Sequence, residues 1–337
     1  MDQTSKINYA NIGLMLFSAI AAFVMPFEVF LMAYAILGPL HYLTEISWLH
    51  DRNYFVKGKY DVVILIIAGL LLVLALLDSR LELYLHLDSH FSYKAMFTAF
   101  FSALVFVLIK DNWLKWIGVL VVWLLSFASE YLYIFLLVYL PTLVHVFIFT
   151  ALFVLYGALK SRSVSGVLSF FVMLLVPVLF FVVAPGKVGI PITSYGLAAY
   201  DNFISLNQLT LYTFFHTKFE SLQQLTNNDL DKIFHSTAGI ALQRFIAYAY
   251  TYHYLNWFSK TNVIRWHQIP KQRLIVILAA WLVSVALYMY SYQVGFIWLV
   301  LLSFLHVLLE FPLNFVSVIG IGKEITSIAR LKKWALG

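Results

Sequence analysis

Residues 26–49 read PFEVFLMAYAILGPLHYLTEISWL, and this stretch decides the fold. It is longer than the about 20 apolar residues with which an α-helix crosses a bilayer. His41 and Glu45 stand four residues apart, so they share one face of that helix, one turn from each other. In lipid such a pair is costly unless it has partners. The stretch therefore predicts a spanning helix that carries part of a buried polar site.

The composition extends this prediction to the whole chain. Hydrophobic residues make up 62% of the 337 residues, charged residues make up 11%, and the mean hydropathy is +0.87. Soluble domains carry about 25% charged residues. We therefore expect an all-α, polytopic integral membrane bundle that forms a single membrane domain from residue 1 to residue 337. Because the chain has no cysteine, any metal in it needs histidine, carboxylate or amide ligands.

Ten apolar segments predict about ten transmembrane helices, with a tolerance of about two to four residues at each end. Several segments are close to the lower limit of about 17 residues for spanning, so eight or nine spans are the alternative. The predicted helices cover residues 9–25, 26–49, 61–77, 93–109, 113–128, 131–159, 164–184, 239–259, 274–290 and 295–318.

The distribution of basic residues predicts the orientation of these helices. With ten spans and a cytoplasmic N-terminus, 16 of the 22 Lys and Arg residues fall on the cytoplasmic side, as the positive-inside rule requires. Both termini are therefore predicted to be cytoplasmic, and we expect a multi-pass protein of a bacterial inner membrane. The net charge of +6 reports this orientation and gives no reason to expect a nucleic-acid partner.

One long polar segment, residues 185–236, interrupts the apolar pattern. A loop longer than about 15 residues usually has a function or its own structure. Spaced apolar residues such as Phe203 and Tyr212 predict interfacial helices lying on the bilayer. The alternative interpretation is a passive extramembrane cap.

Four histidines and two glutamates are predicted to meet inside the membrane. The spacing of His41 and Glu45 returns at His306 and Glu310, and His145 and His253 also lie in apolar segments. On the ten-helix topology the four histidines fall on helices of the same direction and span about 12 Å of depth at about 1.5 Å per residue. We expect the histidines to be metal ligands and the glutamates to be ligands, catalytic groups or residues that orient the histidines.

Helical spacing adds polar neighbours for these groups. Metal-bound histidines usually need a second partner that fixes the ring and its tautomer. The candidates at three or four residues from a site residue are Tyr250, Asn256, Thr142 and Asn314. The same neighbours would also satisfy histidines that bind no metal and only pack in the core.

Imidazole and carboxylate ligands without thiolates are typical of non-haem iron, in one or two ions, with zinc as the alternative. In hydrocarbon the natural substrate is lipophilic, and iron with open positions can bind O2 beside an unreactive bond. The sequence thus favours a metal-dependent oxygenase, whose electron donor it does not identify, over zinc-dependent hydrolysis. The other class is a proton- or cation-coupled transporter that uses the His/Glu pairs.

The segment Gly38-Pro39-Leu40-His41-Tyr42-Leu43-Thr44-Glu45 resembles the G-x-x-H-G-x-x-D start of the bacterial Brp/Blh membrane proteins. The segment Tyr250 to Lys260 is similar to histidine-containing helix ends of uncharacterised bacterial membrane proteins. The first resemblance implies a helical membrane enzyme that cleaves β-carotene or a similar polyene with histidine-bound iron, and it carries over only His41 and Glu45. Tyr42 and Glu45 replace a glycine and an aspartate of that motif.

Overall fold

The computed structural model describes residues 2–336 except 82, 86, 88, 184–188, 223, 261–263 and 267. The described chain is helical and contains no strand, which confirms the all-α prediction. All ten predicted segments form helices, and three shorter helices lie in the polar segment between the seventh and the eighth. The helices are α1 Gln3–Val24, α2 Pro26–His50, α3 Asp61–Leu81, α4 Ser89–Leu108, α5 Asn112–Ser126, α6 Phe135–Ser161, α7 Val164–Val182, α8 Ser194–Ala199, α9 Ile204–Phe215, α10 Asn227–Phe234, α11 Thr237–Ser259, α12 Lys271–Tyr290 and α13 Tyr292–Leu336.

Eight of the described helices are long and apolar enough to cross a membrane. They are α1, α2, α3, α4, α6, α7, α12 and α13. Helix α5 is apolar but has only 15 residues. Helix α11 has 23 residues but is not among the eight, and its sequence includes the polar residues Gln243, Arg244, His253 and Asn256.

Capping side chains fix where several helices begin. Asp2, Asp111, Ser163 and Ser236 each accept a hydrogen bond from the backbone N–H three residues later, at the starts of α1, α5, α7 and α11. Such a side chain satisfies one of the N–H groups that the first turn of a helix leaves without a partner. Pro26 begins α2, where its missing N–H costs nothing. The predicted starts of α5, α7 and α11 lie within two residues of the observed ones. Helix α1 instead begins at Gln3, six residues before its predicted start, because Asp2 caps a polar first turn that the apolar pattern does not include.

The chain divides into two compact units. The first consists of Met1–Gly38 and Ser161–Thr261, and the second of Pro39–Lys160 and Asn262–Gly337. Helix α2 therefore contributes its first half to one unit and its second half to the other. The prediction of a single membrane domain stays a prediction.

The first unit contains the predicted cap, residues 185–236, with helices α8 to α10. Asp229 organises the turn before α10. Its carboxylate accepts hydrogen bonds from the backbone N–H of Glu220 and Thr226, from the Thr226 hydroxyl and from Nζ of Lys232. Burial alone would raise the pKa of Asp229, but these hydrogen bonds outweigh burial and lower it to about 2. The described part of the cap thus has a polar centre of its own at Asp229.

The second unit is built on a hydrophobic core that helices α3, α4, α6 and α13 share. A buried ion pair lies at one end of this unit, where Nζ of Lys115 is 2.9 and 2.8 Å from the two carboxylate oxygens of Asp61. The backbone N–H of Gly58 donates to the same carboxylate at 2.8 Å. The pair therefore joins the start of α3 to α5 and to the loop before α3.

Candidate metal centre

The second unit brings together five of the six residues that the sequence predicts as ligands. They come from the second half of α2, from α6 and from α13. All five are almost fully buried, with exposed fractions of 1% to 3%: His41, Glu45, His145, His306 and Glu310.

Irregular helical geometry accompanies two of the histidines. Helix α6 is a π-helix over Phe135–Phe149, and this stretch includes His145. Pro141 lies inside the stretch and lacks the N–H that a regular ladder needs. A second π-helical turn, Ala33–Leu37, directly precedes the α-helical part of α2 that carries His41. π-helical turns are rare and are frequent at functional sites.

The central contact of the site joins the rings of His145 and His306. Their Nε2 atoms are 3.1 Å apart. Nδ1 of His306 lies 3.3 Å from the carbonyl oxygen of Leu302, which can only accept a hydrogen bond, so we assign the proton of a neutral His306 to Nδ1. Nε2 of His306 then carries a lone pair and faces His145.

Glu310 is the acidic neighbour of His145. Its Oε2 atom is 3.0 Å from Nδ1 of His145. With Glu310 ionised, the favoured tautomer of His145 has the proton on Nδ1 and the lone pair on Nε2. In that tautomer two lone pairs face each other across the 3.1 Å between His145 and His306. A cation or a shared proton between the two nitrogens would stabilise that arrangement.

The pair His41 and Glu45 repeats this relation within one helix. Nε2 of His41 is 3.0 Å from Oε2 of Glu45, and with Glu45 ionised the favoured tautomer has the proton on Nε2 and the lone pair on Nδ1. The Oε2 atoms of both Glu45 and Glu310 lack a hydrogen bond of normal geometry in spite of these short distances. Buried carboxylate oxygens without hydrogen bonds are costly, and a bound cation would remove that cost.

No lysine or arginine of the described chain pairs with the two acidic side chains of the centre. The ion-pair partners of Glu45 and Glu310 are His41 and His145. Buried charges are normally paired or coordinate a metal. A divalent cation would neutralise the two side chains when both are ionised.

The spacing of the three histidines suits one ion. One ring nitrogen of each of His41, His145 and His306 lies within 4.8 Å of one in each of the others. Two nitrogens that are each about 2.0–2.1 Å from one ion lie about 3 Å apart when adjacent and about 4.2 Å apart when opposite. The separation of 3.1 Å between His145 and His306 matches adjacent ligands. The buried histidines can therefore hold a metal ion after small side-chain movements.

Tyr42 holds one of these rings in place. Its ring stacks on that of His306, with centroids 4.1 Å apart and an interplanar angle of 22°, and it meets His41 edge-on at 5.8 Å. The side chain is only 2% exposed. The contact between Tyr42 and His306 is not predictable from the sequence, in which Tyr42 is only a departure from a motif. A contact between neighbouring helices leaves no local signal in one sequence.

The remaining predicted residues have other surroundings. His253, Tyr250 and Asn256 are buried in α11 of the first unit, and the prediction that His253 is a fourth ligand stays a prediction. The Thr142 hydroxyl donates to the carbonyl oxygen of Val138 in its own helix. Asn314 is 3% exposed, and its amide oxygen and nitrogen have no hydrogen-bond partner among the described residues. The roles of these neighbours in orienting the histidines stay predictions.

Comparison with known proteins adds no assignment. No protein-family model, no curated protein and no solved structure matches this chain. The case for its function therefore depends on the chemistry of its own residues.

Proposed function

We propose that this chain is a membrane-embedded, metal-dependent oxygenase that uses non-haem iron and acts on a lipophilic substrate. One observation carries the proposal: Nε2 of His145 and Nε2 of His306 face each other at 3.1 Å, and two buried glutamates lie beside His145 and His41. In this proposal His41, His145 and His306 bind the iron. Glu310 and Glu45 lie 3.0 Å from ring nitrogens of His145 and His41, and on metal binding they would orient these rings and raise the basicity of the ligating nitrogens.

The donor atoms are compatible with iron. Imidazole ligands without thiolate occur in non-haem iron sites that keep open positions, and such iron binds and activates O2. Three histidine nitrogens would leave coordination positions for O2 and for substrate. Zinc binds the same three donors and is the alternative, which would support hydrolysis through a bound water.

The surroundings favour a lipophilic substrate. Eight helices of the described chain are apolar enough to cross a membrane, and a buried site among such helices favours a substrate that dissolves in lipid. The resemblance of the segment from Gly38 to Glu45 to the Brp/Blh proteins supports a polyene as that substrate, with an acyl lipid as the other choice. The ten-helix topology, the cytoplasmic termini and the bacterial inner membrane belong to the same proposal.

A second candidate function is proton- or cation-coupled transport. It is favoured by the buried polar residues that continue along α13 beyond His306, since Glu310, Asn314 and Ser317 lie one turn apart and are 1% to 3% exposed. A cation or proton path would use such a row of groups. In that case the position between His145 and His306 would hold a proton in transit.

The test measures O2 consumption by the purified protein in lipid nanodiscs after loading with Fe(II). A polyene and an acyl lipid are supplied separately, and His306→Ala is compared with His50→Ala, whose side chain is 63% exposed at the end of α2. Substrate-dependent O2 consumption that His306→Ala loses and His50→Ala keeps supports the oxygenase. The opposite result is a protein that consumes no O2 with either substrate but conducts protons in proteoliposomes, with a flux that Glu310→Gln abolishes. That result would contradict the oxygenase and support transport.

A further inference from the structure

The last turn of cap helix α9 exposes aromatic side chains. Tyr212 is 50% exposed, Phe214 is 65% exposed and Phe215 is 39% exposed. The helix Ile204–Phe215 contains no charged residue. A contiguous apolar patch of this kind marks a surface that contacts a partner or a membrane.

The other face of α9 is firmly attached to the first unit. Leu206 and Leu211 are buried, and the hydroxyl of Tyr200 donates to Oδ1 of Asn207 at 2.7 Å. Nδ2 of Asn207 in turn donates to Oε1 of Gln243 in α11 at 3.0 Å. The exposed aromatic turn therefore belongs to a helix that its own unit holds in place.

The aromatic turn continues the exposed surface of a spanning helix. The ring of Phe215 stacks on that of Phe181, near the end of α7, with centroids 5.8 Å apart and an angle of 25°. Beside Phe181, Leu179 is 54% exposed and Val182 is 72% exposed. Helix α7 is one of the eight candidate spans, so the contact between Phe181 and Phe215 joins the exposed apolar residues at the end of a candidate span to those of the cap helix.

We infer that the last turn of α9 lies in the lipid interface, at the level where α7 leaves the hydrocarbon, and that lipid covers Tyr212, Phe214 and Phe215. Aromatic residues are enriched at this depth because their rings are apolar and their tips tolerate water. The chain becomes charged just beyond the turn, at Lys218, as expected where it returns to the headgroups. The inference rests on the membrane insertion that the proposed function assumes.

The absence of cysteine from the chain permits a direct test. Single-cysteine variants Phe214→Cys and Tyr212→Cys are labelled with a nitroxide in nanodiscs. The accessibility of each label to two reagents is then measured. One reagent is O2, which concentrates in lipid, and the other is a water-soluble nickel chelate. The controls are Leu282→Cys, 60% exposed on spanning helix α12, and Asp231→Cys in the cap, whose side chain is 70% exposed.

We expect the labels at positions 212 and 214 to be accessible to O2 and protected from the nickel chelate, like the label at position 282. Accessibility to nickel as high as at Asp231 would overturn it while leaving membrane insertion intact. Protection from both reagents would show that protein covers the turn, for example a second copy of the chain, and would also overturn it. Nickel access at Leu282 would instead contradict the insertion on which the proposed function rests.

Discussion

Replacement of Glu310 by alanine should weaken metal binding without abolishing it. The change removes the carboxylate oxygen that lies 3.0 Å from Nδ1 of His145 and leaves the three ligating nitrogens in place. Loss of such an outer partner typically lowers metal affinity about 10- to 100-fold, which corresponds to about 1.4–2.8 kcal/mol. Glu310→Gln keeps an oxygen that can accept the Nδ1 proton, so its loss should be smaller.

The assay is competition for Fe(II) or Zn(II) between the detergent-purified protein and a chelator of known affinity. Glu28→Gln is the control. Glu28 and Thr193 both belong to the first unit, where Glu28 accepts a hydrogen bond from the backbone N–H of Thr193, whereas Glu310 belongs to the second unit. Wild-type affinity in Glu310→Ala would refute the role of Glu310 in orienting His145. Loss of binding as complete as in His145→Ala would show that Glu310 is itself a ligand.

Two further predictions concern stability. The pKa of Asp229 is lowered from 3.8 to about 2. Its carboxylate should therefore stabilise the cap above pH 4 and lose this effect as the pH falls from about 4 to 2. Hydrogen exchange of residues 218–234 across that range measures the loss of stability. Lys115→Met should destabilise the protein by about 3–5 kcal/mol, because it leaves the buried carboxylate of Asp61 without its cation. Adding Asp61→Asn to Lys115→Met should recover much of the lost stability, measured by thermal unfolding in detergent.

Each of these predictions has a control. Asp231→Asn should leave the exchange profile of the cap at neutral pH unchanged, since that side chain is 70% exposed, whereas Asp229→Asn should raise exchange there. Equal profiles in the two variants would contradict the role of Asp229. Lys110→Met alters an exposed lysine, and a loss of stability as large as that from Lys115→Met would show that the buried pair contributes nothing particular.

The helices could be predicted because their signals are local. Apolar length, charged breaks such as Lys110-Asp111-Asn112 and capping residues all act within one or two turns. The predicted helix 61–77 corresponds to Asp61–Leu81, and 164–184 corresponds to Val164–Val182. The largest difference between a predicted and an observed boundary is at the end of α13, which is predicted at residue 318 and lies at Leu336. No proline follows residue 318, and no described glycine there has a positive φ that would end the helix.

The site could be predicted only as a set of residues. The spacing of His41 and Glu45 does produce a contact within one helix, but the same spacing at His306 and Glu310 does not. Glu310 instead meets His145 of α6, which also meets His306. Helix rotation and packing decide between these outcomes, and one sequence contains neither.

Two other features lie beyond local rules. The π-helix over Phe135–Phe149 has Pro141 as its one visible signal, and a proline predicts a kink more often than a π-helix. The hydroxyl of Thr142 lies one turn before His145 but bonds to its own helix, as serine and threonine hydroxyls in apolar helices often do. Sequence spacing therefore identified possible neighbours without showing which contacts form.

The most direct test of the central claim is the metal content of the purified protein, measured beside His145→Ala, His306→Ala and the control His50→Ala. We expect about one equivalent of bound metal per chain in the wild type and in His50→Ala. His145→Ala and His306→Ala should remain folded and contain no bound metal. His253→Ala, measured in the same series, tests the predicted fourth ligand. Folded wild-type protein that contains no metal and takes up neither iron nor zinc would contradict the account.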